Sequence, residues 1–466
     1  MYNGASFFEV PSGGDESTVR IHASKPLFSW ESLEDSPSLR AVRELLECVP
    51  DTRLLEALRR GRGKGRNDYP VRALWGTLLL QIALRHPTTE SALAELSRNA
   101  GLRRLIGIDR ESGVPKKWNM SRFLRTLGKE PYLTLLRGVF DEMLKRLGET
   151  VESLGRRTSG DATHLSARRT RCEKGEDTDL PEADGGRKEY RDDEGKVAKV
   201  VEWFGYKLHL LVDAVHEVAL AYRVSSVHVG DNEELPALVA QARANLGPGR
   251  IETLAYDKAA DAEEVHAVLD KAGIAPVIEN RALWKERPER MLPGHDGRSN
   301  VVYDESGTIY CYDTTSPEPV RHRMAYIGHE AKRGTLKYRC PAMHEGWACP
   351  HHEKCNADKR YGKTVRVKRE IDLRRFPPVP RATKTFERLY RGRTSVERVN
   401  ARLKIYWGAD DGNITGAQRF HGFVGALMVV HAAMATLLAS APRWEGTLGT
   451  TRLSPVAEAL REKWKR

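Results

Sequence analysis

Three carboxylates occupy positions where an ordinary surface charge is not expected. Asp161 lies inside TSGDATHL (158–165), which is predicted as a short strand, and strand interiors disfavour aspartate. Asp257 follows a predicted strand that ends at Tyr256, and open α/β sheets bind ligands beyond the carboxyl ends of their strands. Together with Glu397, farther along the chain, they could hold two Mg²⁺ ions about 3.5–4 Å apart for phosphoryl transfer. Each alone has an ordinary explanation: a helix cap for Asp257 and an arginine partner for Asp161.

The surroundings of Glu397 read YRGRTSVERVNARLK (390–404) and are predicted as one continuous helix. On such a helix Tyr390, Arg393, Glu397 and Lys404 project to roughly one side. That side suits a metal ligand with phosphate-binding groups around it, since arginine offers a fork of donors and lysine a point charge. The alternative is a solvated helix held by salt bridges.

The composition is that of a soluble, basic protein. The chain has 466 residues, 30% charged and 40% hydrophobic, which is enough for two or three domains. Its net charge of +12 and pI of about 9.3 favour nucleic acid over an acidic small molecule as partner. No signal peptide is visible at the start, and only Cys48 and Cys172 precede a later cysteine cluster, so a reducing cytoplasm is expected. The apolar segment 423–441 is almost long enough to span a bilayer, but its small residues favour a buried core helix.

Changes in hydrophobic pattern divide the chain. Helical periodicity follows a polar start, then gives way to alternating strands, a polar stretch (168–197) interpreted as a loop, and a basic segment rich in Pro and Gly. The predicted divisions are a flexible lead-in 1–35, a helical DNA-binding-type domain 36–150, a mixed α/β core in two parts (151–279 and 381–442), an inserted β-rich subdomain 280–380, and a basic tail or helix 443–466.

Basic residues cluster near the start of one helix in the first domain. Lys116, Lys117, Arg122 and Arg125 suit a helix-turn-helix arrangement, and a helical bundle with surface cations explains them equally well.

The order and setting of the carboxylates resemble the DDE transposases of bacterial insertion sequences, which have an RNase H-like catalytic core. SGDAT resembles the strand that carries the family's first aspartate. AYDKAAD resembles the second-aspartate stretch, with Ala259 and Ala260 in place of the usual glycine and tyrosine. The spacing Tyr390-x2-Arg393-x3-Glu397-x6-Lys404 is similar at every step to the family's Tyr-Arg-Glu-Lys signature. The helical N-terminal region also resembles the family. The resemblance covers most of residues 36–440 and is weakest over 280–380, where the family itself carries variable β-rich insertions.

The resemblance implies an activity, a cofactor and a partner. Asp161, Asp257 and Glu397 would hold two Mg²⁺ ions, with Mn²⁺ able to replace them. The enzyme would bind the terminal inverted repeats of its element, cleave at the ends and join the new 3′-OH to target DNA. A homodimer would pair two ends of double-stranded DNA, in a nucleoid-associated, cytoplasmic protein without a membrane partner. Tyr390, Arg393 and Lys404 would contact the transposon-end DNA.

Two other functions remain open from the residues. One is a sequence-specific DNA-binding regulator derived from a transposase, although all three acidic positions are filled. The other is an RNase H-like nuclease that cuts without strand transfer. Lys207 and His209, on the strand beside Asp161, could also face DNA, with solvation on the strand surface favoured as the explanation.

A second group of residues could hold a metal. Cys340, Cys349 and Cys355 lie in RCPAMHEGWACPHHEKC, with Cys311 upstream and His344, His351 and His352 nearby. Three or four sulfur ligands suit a structural Zn²⁺. The spacing lacks a pair of CxxC motifs, and reduced cysteines in a loop-rich subdomain are the equal alternative.

Overall fold

The computed structural model describes residues 37–63, 69–169, 178–192, 194–285, 288–292, 300–313, 320–440 and 447–448. The predicted lead-in 1–35 lies outside the described residues, as does nearly all of the predicted tail 443–466. Seven α-helices begin the described chain: α1 (Pro37–Glu47), α2 (Thr52–Arg62), α3 (Val71–Ala83), α4 (Thr89–Arg98), α5 (Ala100–Leu105), α6 (Lys117–Leu127) and α7 (Tyr132–Thr150).

The helical region expected from the periodicity is present. Every residue of α3 except Arg72 is buried, as its apolar sequence requires. Thr88 caps α4, because its Oγ1 accepts a hydrogen bond from the Ser91 N–H at 3.1 Å.

The helix ends in this region depend on short-range contacts. The basic residues Arg60 and Arg62 lie in the last turn of α2. Gly101 lies within α5 and does not end α4. Asn99 separates the two helices, and its side chain accepts from the Leu102 N–H at 3.1 Å, which starts a new helix instead of a loop.

A six-stranded mixed sheet follows, built from β1 (Arg157–Ser166), β2 (Asp184–Arg191), β3 (Val197–Asp213), β4 (Ala219–Ser225), β5 (Thr253–Tyr256) and β6 (Ala275–Ile278). Strand β1 lies between β3, to which it is antiparallel, and β5, to which it is parallel. Strand β4 pairs with β3, and β6 is parallel to β5. Parallel pairs require crossover connections, which the helices between the strands supply.

The polar stretch 168–197 is not the simple loop that was predicted. Its last part forms β2, which pairs with the first half of β3. Charged residues can form this strand because it lies at the sheet edge and needs no buried face. Strand β4 ends at Ser225, before the start of α8.

The remaining helices of the core are α8 (Asp231–Leu246), α9 (Glu263–Ala272), α12 (Lys384–Tyr390), α13 (Thr394–Ile405) and α14 (Ala417–Ala439). Helix α14 is long and apolar enough to cross a membrane, but 94% of its most apolar window is buried inside the protein. It packs against α1, α3, α6 and α7 of the helical region and against β4 of the sheet. A single hydrophobic core therefore joins the helical region to the sheet through α14, the buried helix predicted from the sequence.

The insertion has its own small core. One sheet contains β7 (Glu289–Met291), β8 (Val301–Asp304), β9 (Ile309–Asp313) and β10 (Val320–Arg323), and another contains β11 (Ala325–Glu330), β12 (Thr335–Arg339) and β13 (Thr364–Lys368). Two helices of five residues, α10 (Pro341–Glu345) and α11 (His352–Asn356), lie between β12 and β13. The predicted β-rich character of this segment is confirmed.

A buried carboxylate ties the end of the insertion to the core. Asp261 is fully buried, and its Oδ2 accepts from the Arg374 guanidinium at 2.8 Å while its Oδ1 lies 3.1 Å from Arg381 Nη2. Although burial opposes ionisation, hydrogen bonds from His266 and Arg374 hold the pKa of Asp261 well below its usual value. Because Asp261 lies four residues after Asp257, this ionic cluster also fixes the loop that carries Asp257.

Candidate active site

Asp161 lies in the middle of β1, half-buried and opposite Leu210 of β3. Burial, together with the nearby carboxylates of Asp231 and Asp257, raises its pKa to about 6. The Arg393 guanidinium acts in the opposite direction. Asp161 therefore lies in a region of excess negative charge.

Asp257 lies at the carboxyl end of β5, on the strand next to β1, where Ser159 is beside Ala255. Its Oδ1 accepts the Ala259 N–H at 2.9 Å and caps a short 3₁₀ turn at 258–260. The capping role considered for Asp257 is therefore real, but it uses one carboxylate oxygen and leaves the other for a second partner.

Glu397 lies in the first turn of α13, packed over the same strands. Ser395, two residues earlier, has its Oγ 2.6 Å from the Oγ of Ser159 on β1. The Glu397 side chain is 49% exposed, and its Oε1 lies 2.9 Å from Arg393 Nη2. Arg393 thus lies between two acids, since it forms an ion pair with Glu397 and also influences Asp161.

The expected continuous helix over 390–404 is broken. Helix α12 ends at Tyr390, a 3₁₀ turn covers 391–393, and α13 begins at Thr394. Gly392 disfavours a helix interior, and the Thr394 hydroxyl donates back to the Arg391 carbonyl at 3.1 Å. Tyr390 and Lys404 therefore do not belong to one helical face.

The structure brings the acids close without forming a completed ligand set. Over the described ranges, no three His, Cys, Asp or Glu side chains are placed to hold a common metal ion. Asp161 and Asp257 share their negative potential with Asp231, whereas the Glu397 carboxylate is turned to Arg393. Because Asp161 and Asp257 share one region of negative potential beside the half-exposed Glu397, a divalent cation suits these donors.

Comparisons with known families agree with this arrangement. A sequence profile described as Transposase DDE domain matches residues 153–433, which is more than half of the chain. The chain belongs to the DDE transposases. A second profile, described as Transposase domain (DUF772), matches residues 29–126, which include α1 to α5 and most of α6. A comparison with curated proteins gave no match.

Family membership makes this a DNA transposase of an insertion sequence, with the RNase H-like catalytic fold that the resemblance implied. Transposases of this family act on DNA and generally use divalent metal ions. The matched range begins just before β1 and ends within α14. It therefore includes Asp161, Asp257 and Glu397, together with the whole insertion.

Tyr390 and Lys404 of the transposase lie in different settings. Tyr390 stacks on Phe386 with ring centroids 5.7 Å apart, and burial together with nearby Glu279 raises the pKa of its hydroxyl. The Lys404 side chain is 17% exposed and its Nζ lies 3.3 Å from Asp410 Oδ2. Burial lowers the pKa of Lys404, although Asp410 opposes this shift. Lys404 thus has a protein partner already.

Asp231 is the site residue that the sequence reasoning missed. It begins α8, and its carboxylate raises the pKa values of both Asp161 and the buried Tyr256 hydroxyl. Lys207 Nζ lies 2.8 Å from its Oδ1. The available signal was the one used for Asp257, namely an acid that follows a strand and precedes a helix.

The interpretation of Lys207 and His209 changes accordingly. His209 is fully buried, its Nε2 lies 2.8 Å from Ser225 Oγ, and burial lowers its pKa to about 4. Lys207 pairs with Asp231 and donates to the Val229 carbonyl at 2.9 Å. Solvation on a strand surface, the favoured explanation, is therefore wrong, because long β3 is covered there by the start of α8.

Proposed function

We propose that this transposase binds the terminal inverted repeats of its insertion sequence, cleaves at their ends and joins the 3′-OH to target DNA. The observation that carries the proposal is the placement of Asp161 and Asp257 on adjacent parallel strands, with Glu397 on the helix joined to β1 through Ser159 and Ser395. Carboxylates from three separate elements are what two-metal phosphoryl transfer requires.

Asp161, Asp257 and Glu397 would hold two Mg²⁺ ions, with Mn²⁺ as a substitute. Burial alone would favour the neutral form of Asp161. The excess of negative charge around Asp161 supports cation binding, because a cation would stabilise the ionised carboxylate. Bound Mg²⁺ would supply Lewis acidity at the phosphate and lower the pKa of a bound water. The three carboxylates would orient the ions once Glu397 turns from Arg393 toward the two aspartates.

Arg393, Tyr390 and Lys404 would bind the DNA backbone near the cleaved phosphate. The Arg393 guanidinium suits this role because it already balances two acids, and its fork can bind a phosphate once a cation neutralises them. Lys404 would exchange Asp410 for a phosphate oxygen. Tyr390 lies near Asp257, and the negative charge of Asp257 also raises the pKa of the Tyr390 hydroxyl.

Helix α6 would supply a further DNA contact. Its exposed face carries Trp118, 54% exposed, with the Arg122 guanidinium 5.0 Å above the indole ring. Lys116, directly before this helix, and Arg125 within it are also exposed. Cations that surround an exposed aromatic ring suit a nucleic-acid backbone and its sugars. We place the protein as a homodimer on the nucleoid in the cytoplasm, since two element ends must be joined in one event.

The test uses the full-length protein, Mg²⁺ and labelled duplexes that carry the inverted repeats flanking the gene. Asp161→Asn, Asp257→Asn and Glu397→Gln should each abolish cleavage while leaving end binding largely intact. Glu263→Gln, which removes an exposed carboxylate six residues after Asp257, is the matched control and should cleave normally. Strand transfer by any of the three site variants would exclude the metal assignment, and cleavage without joining by the wild type would indicate a nuclease.

A further inference from the structure

Four cysteines from separate parts of the insertion surround one cavity. Cys311 lies on β9, Cys340 directly follows β12, Cys349 lies between the two short helices, and Cys355 lies on α11. All four line a cavity of about 30 Å³. Each is a free thiol rather than a member of a disulfide. The proposed DNA chemistry uses none of them.

Hydrogen bonds hold the cysteine backbones around this cavity. The Cys340 N–H donates to the Lys363 carbonyl at 2.8 Å, which joins the start and end of the segment 341–363. The Cys355 N–H donates to the His351 carbonyl at 3.1 Å within the turn that carries Cys349 and α11. Cys311 is held in register by both neighbours of β9, opposite Val301 and His322.

The segment 341–363 lacks the apolar side chains that would otherwise hold it in place. Its buried residues are Pro341, Ala342, Asn356 and Gly362. None of the members of the insertion's hydrophobic core comes from this segment. Two helices of five residues are too short to be stable alone in water. Something other than hydrophobic burial must therefore hold the segment against β9.

We propose that Cys311, Cys340, Cys349 and Cys355 together bind one structural zinc ion. Four thiols lose four protons and four sulfur–zinc bonds form, with no change of oxidation state. The site would join β9 to the segment 341–363 and replace the missing apolar contacts. Lys363, which also lines the cavity, would offset part of the negative charge of a four-thiolate site.

Two features of the site define what binding must do. The four sulfurs line the cavity, but no three of them converge at ligand distance from one point, so the short helices must move inward. Of the three nearby histidines, His344 and His352 are exposed outside the cavity and His351 lines it, so sulfur atoms are the main donors there.

The first test measures zinc in full-length protein purified without chelators. The wild type should contain about one equivalent of zinc, and Cys311→Ser and Cys355→Ser less than about one fifth of an equivalent. Cys48→Ser, which changes a cysteine on the distant helical region, is the matched control and should keep the wild-type content. Wild-type protein without zinc that also fails to take up added zinc would overturn the proposal.

A second measurement uses the wild type and so does not depend on whether the cysteine variants fold. Cobalt(II) added to the zinc-depleted wild type should give an intense sulfur-to-cobalt charge-transfer band and the strong visible bands of a tetrahedral site. A spectrum of octahedral cobalt, or none, would contradict four-sulfur ligation. Neither measurement uses DNA. A protein that binds no zinc would therefore not contradict the proposed transposition reaction, and a failure of transposition would not contradict the zinc site.

Discussion

The hydroxyl oxygens of Ser159 and Ser395 lie 2.6 Å apart, and both side chains are completely buried. Ser159 precedes Asp161 by two residues on β1, and Ser395 precedes Glu397 by two residues on α13. One hydrogen bond therefore links the strand of the first acid to the helix of the third. Small side chains allow this close approach, which sets the distance between the two acids.

Ser159→Ala and Ser395→Ala should each destabilise the protein by about 1–3 kcal/mol, because each leaves one buried hydroxyl without its partner. The double variant should lose less than the sum of the two, since it leaves no unpaired hydroxyl. Urea unfolding of the four proteins measures the coupling. Strict additivity would show that the two hydroxyls do not interact.

Asp261→Asn should be among the most destabilising changes, at about 3–5 kcal/mol, because it leaves the buried cations of Arg374 and Arg381 uncompensated. Asp270→Asn is the matched control. It removes the partner of Arg369 on the same side of the insertion, but its side chain is 37% exposed. Thermal unfolding should show a clearly smaller shift for the control, and equal shifts would contradict a buried ionic cluster.

Asp410→Asn should strengthen binding to duplexes carrying the element ends and steepen its salt dependence by about one phosphate contact. The reason is that Lys404, 3.3 Å from Asp410, is then released to bind phosphate. The Asn side chain can still accept the Ser166 N–H, so the loop stays in place. Asp411→Asn is the control, because it removes the adjacent negative charge, which is not paired with Lys404. An identical gain in DNA affinity in that control would indicate a general charge effect.

Trp118→Ala and Arg122→Ala on α6 should each weaken end binding several-fold and leave the stability of the protein nearly unchanged, because both side chains are exposed. Arg98→Ala removes an equally exposed arginine, ion-paired with Glu95 on α4, and serves as control. Fluorescence anisotropy with labelled element ends gives the affinities. If the α6 variants bind like the control, this face does not contact DNA.

Stability should fall as the pH decreases below about 6.5, in part because of His431. Its Nε2 accepts the Ala219 N–H at 2.9 Å, and burial lowers its pKa to about 3. Between these two pH values, His431 binds a proton in the unfolded chain but not in the folded protein. The free energy of unfolding therefore falls by about 1.4 kcal/mol for each unit by which the pH decreases.

In the His431→Gln variant, the Gln amide oxygen can take over the acceptor role, so the pH slope should decrease by one proton. His228→Gln removes a histidine whose side chain is 70% exposed and should leave the slope as it is. Urea unfolding at a series of pH values measures both slopes. An unchanged slope in His431→Gln would show that His431 is not held neutral in the folded protein.

The amino-acid sequence alone determined the local elements and the identity of the candidate ligands. Apolar periodicity is enough to place α3 and α14, because burial of one face is a local property of the pattern. Asp161 was recognisable because it lies inside a strand, Asp257 because it follows a strand, and Glu397 because of the basic residues spaced around it. Strand β2 escaped because an exposed edge strand requires no apolar alternation.

Only the tertiary structure decided which of these groups meet. Asp231 joins the acids because the β3–β4 hairpin brings the start of α8 beside β1, a contact between distant parts of the chain that no local pattern records. Likewise Lys404 lies beside Asp410 and His209 lies beneath α8, although helical and strand spacing alone suggested exposed, DNA-facing positions. Local periodicity states which face of an element is buried, whereas the chain's long-range packing determines what covers it.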